Sequence, residues 1–232
     1  MAHLTRRSLA AGASLLAGAG LLPARAQQIA TVPVSTKFVA KALTFDPEKV
    51  KGLSAGLLRA HHNRYGEAVK RLNAIREEIA KLDLGTPDDA RLGELKREEL
   101  RLYNATALLE LYFDGIGETR MPPSGLLAQA MERDFAGMDR WKAEFAASAA
   151  SLAGGAGWVI MAYSGRDKRL AIFVAENESI APVGTSPLLA LDMSERAYAA
   201  DYGANAAKYV EAFMGAIRWT NAERLYREAM RV

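Results

Sequence analysis

Two apolar stripes separated by a short polar turn constrain this chain more than any other feature. Across residues 54–82 the apolar side chains fall at Leu58, Tyr65, Val69, Leu72, Ile75, Ile79 and Leu82. Spacing of three to four residues puts them on one face of a long amphipathic helix. A second stripe runs through Leu92, Leu95, Leu102, Thr106, Leu109, Phe113 and Ile116. Between them lies DLGTPDD, residues 83–89, which is turn chemistry, and Pro87 cannot continue the first helix. Two long helices with so short a link pack antiparallel as a hairpin.

The pattern then changes. GIGETRMPPSG, residues 115–125, reads as a linker. Two shorter helices are predicted over 126–135 and 140–152, with Asp139 placed to cap the second. GWVIMAY and RLAIFVA are β-rich runs joined by the polar turn SGRDKR, a hairpin pattern, and PLLAL suggests a third strand. Helical sequence closes the chain around Tyr198 and over 206–230. The predicted class is α+β: an N-terminal antiparallel helical hairpin over 54–116, and a C-terminal α/β domain over 122–232 with a small three-stranded antiparallel sheet. An extended segment, 27–53, precedes the hairpin.

Residues 1–26 have a different character. Twin arginines Arg6 and Arg7 precede an apolar stretch, 9–22, and Ala24-Arg25-Ala26 forms a small-x-small cleavage site. The stretch is shorter than the roughly 20 residues that cross a bilayer, so it reads as a signal peptide and not a stable membrane span. Its twin-arginine type implies export of a folded protein to the periplasm or beyond, with cleavage near Ala26. Three of the 30 basic residues lie here, so the remainder is balanced against its 27 acidic ones. No basic run with interleaved aromatics follows, which argues against a nucleic-acid partner. The absence of cysteine excludes disulfides, thiolate metal sites and cysteine nucleophiles.

Four segments in order resemble the iron/manganese superoxide dismutase family. They are GLSAGLLRAHHNRYGEAVKRLN, the stretch from SGLLAQAMERDF to GGAGWVIMAY, TSPLLALDMSERAY, and KYVEAFMGAIRW. The resemblance implies the two-domain fold of that family, a homodimer, and a redox metal held by three histidines, one aspartate and solvent. Carried over by position, the first histidine falls on His61 and the aspartate on Asp192, both relict ligands. The second histidine position is Leu109, on an alignment through LELYF, with Ala105 as the rival alignment. The third is Arg196, a permanent cation with donors and no lone pair.

The inventory is decisive beyond alignment. The chain has three histidines, His3, His61 and His62, and adjacent helical residues point about 100° apart and cannot share one ion. A site of three histidines and one aspartate cannot be assembled from this chain alone. Without a metal, Asp192 needs a counter-charge, and Arg196, taken to be one helical turn on, is expected to provide it. Asp192 and Glu195 also have capping-box spacing, and His61 reads as a hydrogen-bonded interior histidine.

The leading expectation is an exported, catalytically degenerate family member with a binding or structural role, an unknown partner and no cofactor. One alternative is an active dismutase, taking superoxide to oxygen and hydrogen peroxide with Fe or Mn held by substitute ligands such as Glu110 or a second subunit's side chain. Another is a small-molecule binder at the remodelled cavity.

Overall fold

The computed structural model describes residues 36–85, 88–118 and 121–231. The proposed signal peptide lies outside the described residues, as does Pro87 of the interhelical turn. Helix α1 (Ala55–Ala80) begins at Ser54, whose hydroxyl oxygen accepts from the Leu57 N–H. The same hydroxyl donates to Asp201, fastening the helix start to the C-terminal half. Helix α2 (Asp89–Asp114) begins at Asp88, whose carboxylate accepts from the Arg91 N–H. Their stripes meet as expected. Leu72, Ile75, Leu95 and Leu102 form a small buried cluster, while Leu58, Tyr65, Val69, Leu109 and Phe113 join the main core.

Helices α3 (Gly125–Phe135) and α4 (Met138–Ala150) follow, joined by Ala136 and Gly137, both at positive φ. Gly137, and not Asp139, occupies the cap of α4, so the expected side-chain cap is absent. Asp139 sits in the first turn, where a carboxylate still favours the helix dipole.

Strands β1 (Trp158–Ser164), β2 (Arg169–Ala175) and β3 (Thr185–Asp192) form an antiparallel sheet in the order β2-β1-β3. The central β1 is buried at every residue, which suits its unbroken apolar run. Pro187 is confined to the edge strand β3, beside the register shift at Met161/Ala162, where a missing N–H is tolerated. Trp158 pairs with Asp192, bringing the end of β3 beside the start of β1. Gly157 just before it has φ 138°, and a Cβ there would stand 2.5 Å from the Ala175 carbonyl oxygen, so only glycine fits.

A 3₁₀ turn (Glu195–Ala197), the short α5 (Ala199–Tyr202), α6 (Ala206–Ala216) and α7 (Trp219–Ala229) complete the chain. The helical stretch predicted over 206–230 is therefore two helices. The break lies at Ile217 and Arg218, where Ile217 bridges Ile116 and the Arg218 N–H donates to the Gly115 carbonyl at 2.8 Å. Backbone pairing to the end of α2 outcompetes helix continuation there. Helices α2 and α7 pack on β3, and α3 and α4 pack on β2. No helix among the described residues is long and apolar enough to cross a membrane.

Candidate functional site

The four positions singled out in the sequence converge. His61 from α1, Leu109 from α2, Asp192 from the end of β3 and Arg196 from the 3₁₀ turn line one cavity of about 330 Å³. Arg64, Leu102, Ala105 and Trp158 complete its inner wall. Each element places its residue for a plain reason. His61 lies on the apolar stripe of α1 and is 1% exposed, and Leu109 lies on that of α2. Asp192 ends a strand whose neighbours are buried leucines.

Asp192 is buried at 6% exposure, and its two oxygens face different groups. Oδ2 stands 3.1 Å from His61 Nε2, and Oδ1 accepts from the Ser194 N–H at 2.8 Å. Burial pulls hardest on its pKa, upward, yet His61 and Ser194 together outweigh it and hold the carboxyl below its ordinary value. The Asp192 carbonyl also accepts from the Tyr209 hydroxyl at 3.0 Å.

Two expectations about this aspartate are corrected. Arg196 forms no ion pair with it; the group beside the carboxylate is His61. The reason is local geometry: β3 runs through Asp192 and the chain then turns at Ser194, so Arg196 is not one α-helical turn away but exposed at the cavity mouth. The capping box with Glu195 is likewise replaced by a tight turn in which Asp192 caps Ser194. Glu110, the proposed substitute ligand, is engaged elsewhere: Lys41 Nζ donates to it at 2.5 Å and the Tyr65 hydroxyl at 2.9 Å. Burial pushes the pKa of that hydroxyl up to about 12.

His61 departs from expectation in a more telling way. It is interior, yet neither ring nitrogen meets hydrogen-bond geometry with any described group; the approach to Asp192 is close but undirected. Two neighbours share that state. Arg64 Nη2 and the Tyr112 hydroxyl are also out of solvent and without a partner, and the Tyr112 ring lies 4.8 Å from that of His61. Three of the six unpartnered buried side-chain atoms among the described residues, both His61 nitrogens and Arg64 Nη2, thus belong to residues that line this cavity. Buried polar groups are ordinarily satisfied, and each orphan costs about 1–3 kcal/mol, so such a cluster calls for a ligand or ordered solvent to complete it. Neither Arg64 nor Tyr112 figured in the reading of the sequence as a site residue. Arg64 was accessible to it, three residues beyond His61 on the same helical face.

Residues 123–225 match the family described as iron/manganese superoxide dismutases, C-terminal domain. A protein of Cupriavidus metallidurans named superoxide dismutase (Fe) is 46% identical over 192 residues, covering 82% of this chain and 97% of the relative. The chain belongs to the iron/manganese superoxide dismutase family. A superoxide dismutase (Fe) of Methanothermobacter thermautotrophicus is 31% identical over 77% of this chain and 88% of its own. The mitochondrial superoxide dismutase (Mn) of Glossina morsitans morsitans is 27% identical over 76% and 82%. These names overturn the expectation of a protein outside cofactor chemistry, because membership in a family of iron and manganese enzymes implies a metal.

The donor set answers that implication only in part. The unpartnered His61 nitrogen facing the Asp192 carboxylate is the kind of pair that shares a cation, and imidazole and carboxylate suit iron or manganese. Leu109 has no donor atom, and Arg196 offers none with a lone pair. No group of three or more histidine, cysteine, aspartate or glutamate side chains among the described residues could hold a metal ion. The four-ligand site of the family therefore does not fit this chain's described residues.

Proposed function

We propose that this protein is an oxidoreductase of the superoxide dismutase class, converting superoxide to oxygen and hydrogen peroxide at the cavity around His61 and Asp192. The observation supporting this reading is the 46% identity across 97% of a relative named for that activity. In it, His61 and Asp192 would be two of the ligands to iron or manganese. The others come from solvent or from a second subunit of a homodimer, since Glu110 is held by Lys41 and Tyr65. Arg64 and Arg196 give the cavity a positive field that concentrates an anionic substrate. We further propose that the chain is exported, on the strength of the twin arginines Arg6 and Arg7.

A specific observation favours a second reading. Leu109 and Arg196 both face the cavity where donors are needed, so the site binds a guest without turning over superoxide. One experiment separates the two. The protein is purified without chelators and assayed for Fe, Mn, Cu and Zn per chain, and for dismutase activity. Near one equivalent of Fe or Mn, with activity lost in His61→Ala, supports the dismutase. A protein without Fe or Mn, or a metal-loaded protein without activity, leaves the second reading.

A further inference from the structure

The cavity carries more positive charge than its own carboxylates answer. Four guanidinium groups line it, those of Arg64, Arg71, Arg101 and Arg196. Arg101 is engaged by Glu98 at 2.8 Å and lies 4.0 Å from Glu178. Arg64, Arg71 and Arg196 form no ion pair among the described residues. Of the lining carboxylates, Glu67 is drawn to Lys70 at 2.8 Å, and Asp192 faces His61 and Ser194. Arg64 is the deepest of the four cations. Its Nη2 is shut off from solvent without an acceptor, and burial together with neighbouring Arg196 lowers its pKa against the opposing pull of Asp192. A desolvated guanidinium with a free donor is a ready oxyanion anchor, because its planar fork matches two oxygens at once.

Shape and wall chemistry narrow the ligand. Superoxide is diatomic and would leave most of about 330 Å³ unfilled, a volume that suits a small organic molecule. Buried hydrocarbon from α2 also lines the cavity, supplied by Leu102, Ala105 and Leu109. Glu67 and Glu178 also line the cavity and repel ligands with several negative charges. We infer that the cavity binds a small organic monocarboxylate, its carboxylate on Arg64 and Arg196 and its apolar body against Leu102, Ala105 and Leu109. The inference rests on the reading that this cavity is the working site, and it names what occupies it besides superoxide.

The test is isothermal titration of the full chain with benzoate, and separately with inorganic phosphate, at low ionic strength. Saturable benzoate binding is expected, weakened about tenfold or more by Arg64→Gln and by Arg196→Gln. Arg140→Gln, at a different surface, should leave it unchanged. If Arg64→Gln fails to fold, Ala105→Leu narrows the apolar wall and should abolish benzoate binding in its place. Absence of saturable benzoate binding, survival of binding in both arginine variants, or tighter binding of phosphate than of benzoate overturns the inference. Dismutase activity measured on the same samples keeps the two proposals apart. Benzoate binding without activity removes the dismutase reading alone, and activity without benzoate binding removes this inference alone.

Discussion

At the scale of single residues the site is governed by one buried carboxylate and the group that faces it. Asp192 is held ionised by His61 on one oxygen and the Ser194 N–H on the other. Removing His61 takes away one of those and leaves a buried charge with a single hydrogen bond, from the Ser194 N–H. Breaking a buried pair from one side is far more damaging than replacing both members. His61→Leu should therefore lower unfolding stability by about 3–5 kcal/mol, and adding Asp192→Asn should recover a large part of that loss. Urea unfolding of the two variants reads the difference directly. If the double variant were no more stable than His61→Leu, Asp192 would not carry the charge assigned to it.

At the scale of elements, α3 is clamped to β2 by Asp134. Its carboxylate accepts from the Leu170 N–H at 2.7 Å and from the Arg133 guanidinium, while the Arg169 side chain donates to the Asp134 carbonyl at 3.0 Å. Burial is the largest single influence and pushes its pKa up, but Arg133 and the Leu170 N–H together hold it below the ordinary value of 3.8. A depressed folded pKa gives stability that is full above the unfolded pKa and fades as pH falls through the folded one. Wild type should exceed Asp134→Asn by about 2 kcal/mol at neutral pH, with the gap closing below about pH 4. Thermal melts of both across that range test it; a gap that did not narrow at all as pH falls below 4 would mean that the carboxylate charge is irrelevant. The elements themselves were largely legible in sequence, since the stripes of α1 and α2 and the apolar runs of β1 and β3 state their own periodicity. What escaped was set by contacts distant in the chain. The break at Ile217 follows from pairing with Ile116, a partner that no local pattern names.

At the scale of the whole molecule, the cavity exists because four separate parts of the chain deliver one position each. The resemblance to the family brought His61, Leu109, Asp192 and Arg196 into one frame, and the structure places all four around one cavity. The direction of each side chain was not legible. Arg196 was expected over Asp192 on the premise of an α-helical turn, and a strand followed by a 3₁₀ turn carries it to the mouth instead. Such convergence has a consequence that local repacking would not have. If the frame of the family's metal site persists beneath the substitutions, putting donors back should restore affinity without rebuilding the backbone. Leu109→His with Arg196→His would give three imidazoles and one carboxylate around the orphaned His61 nitrogen, a set suited to iron or manganese. The double variant should bind Mn²⁺ more tightly than wild type by about 100-fold or more, and a further His61→Ala change should abolish the gain. Each single variant should gain less, because leucine leaves a gap in the ligand ring and arginine adds a repelling charge. Equilibrium dialysis with Mn²⁺ on the five proteins decides the matter. A double variant no tighter than wild type would show that the cavity has closed around its present residues and no longer holds the shape of a metal site.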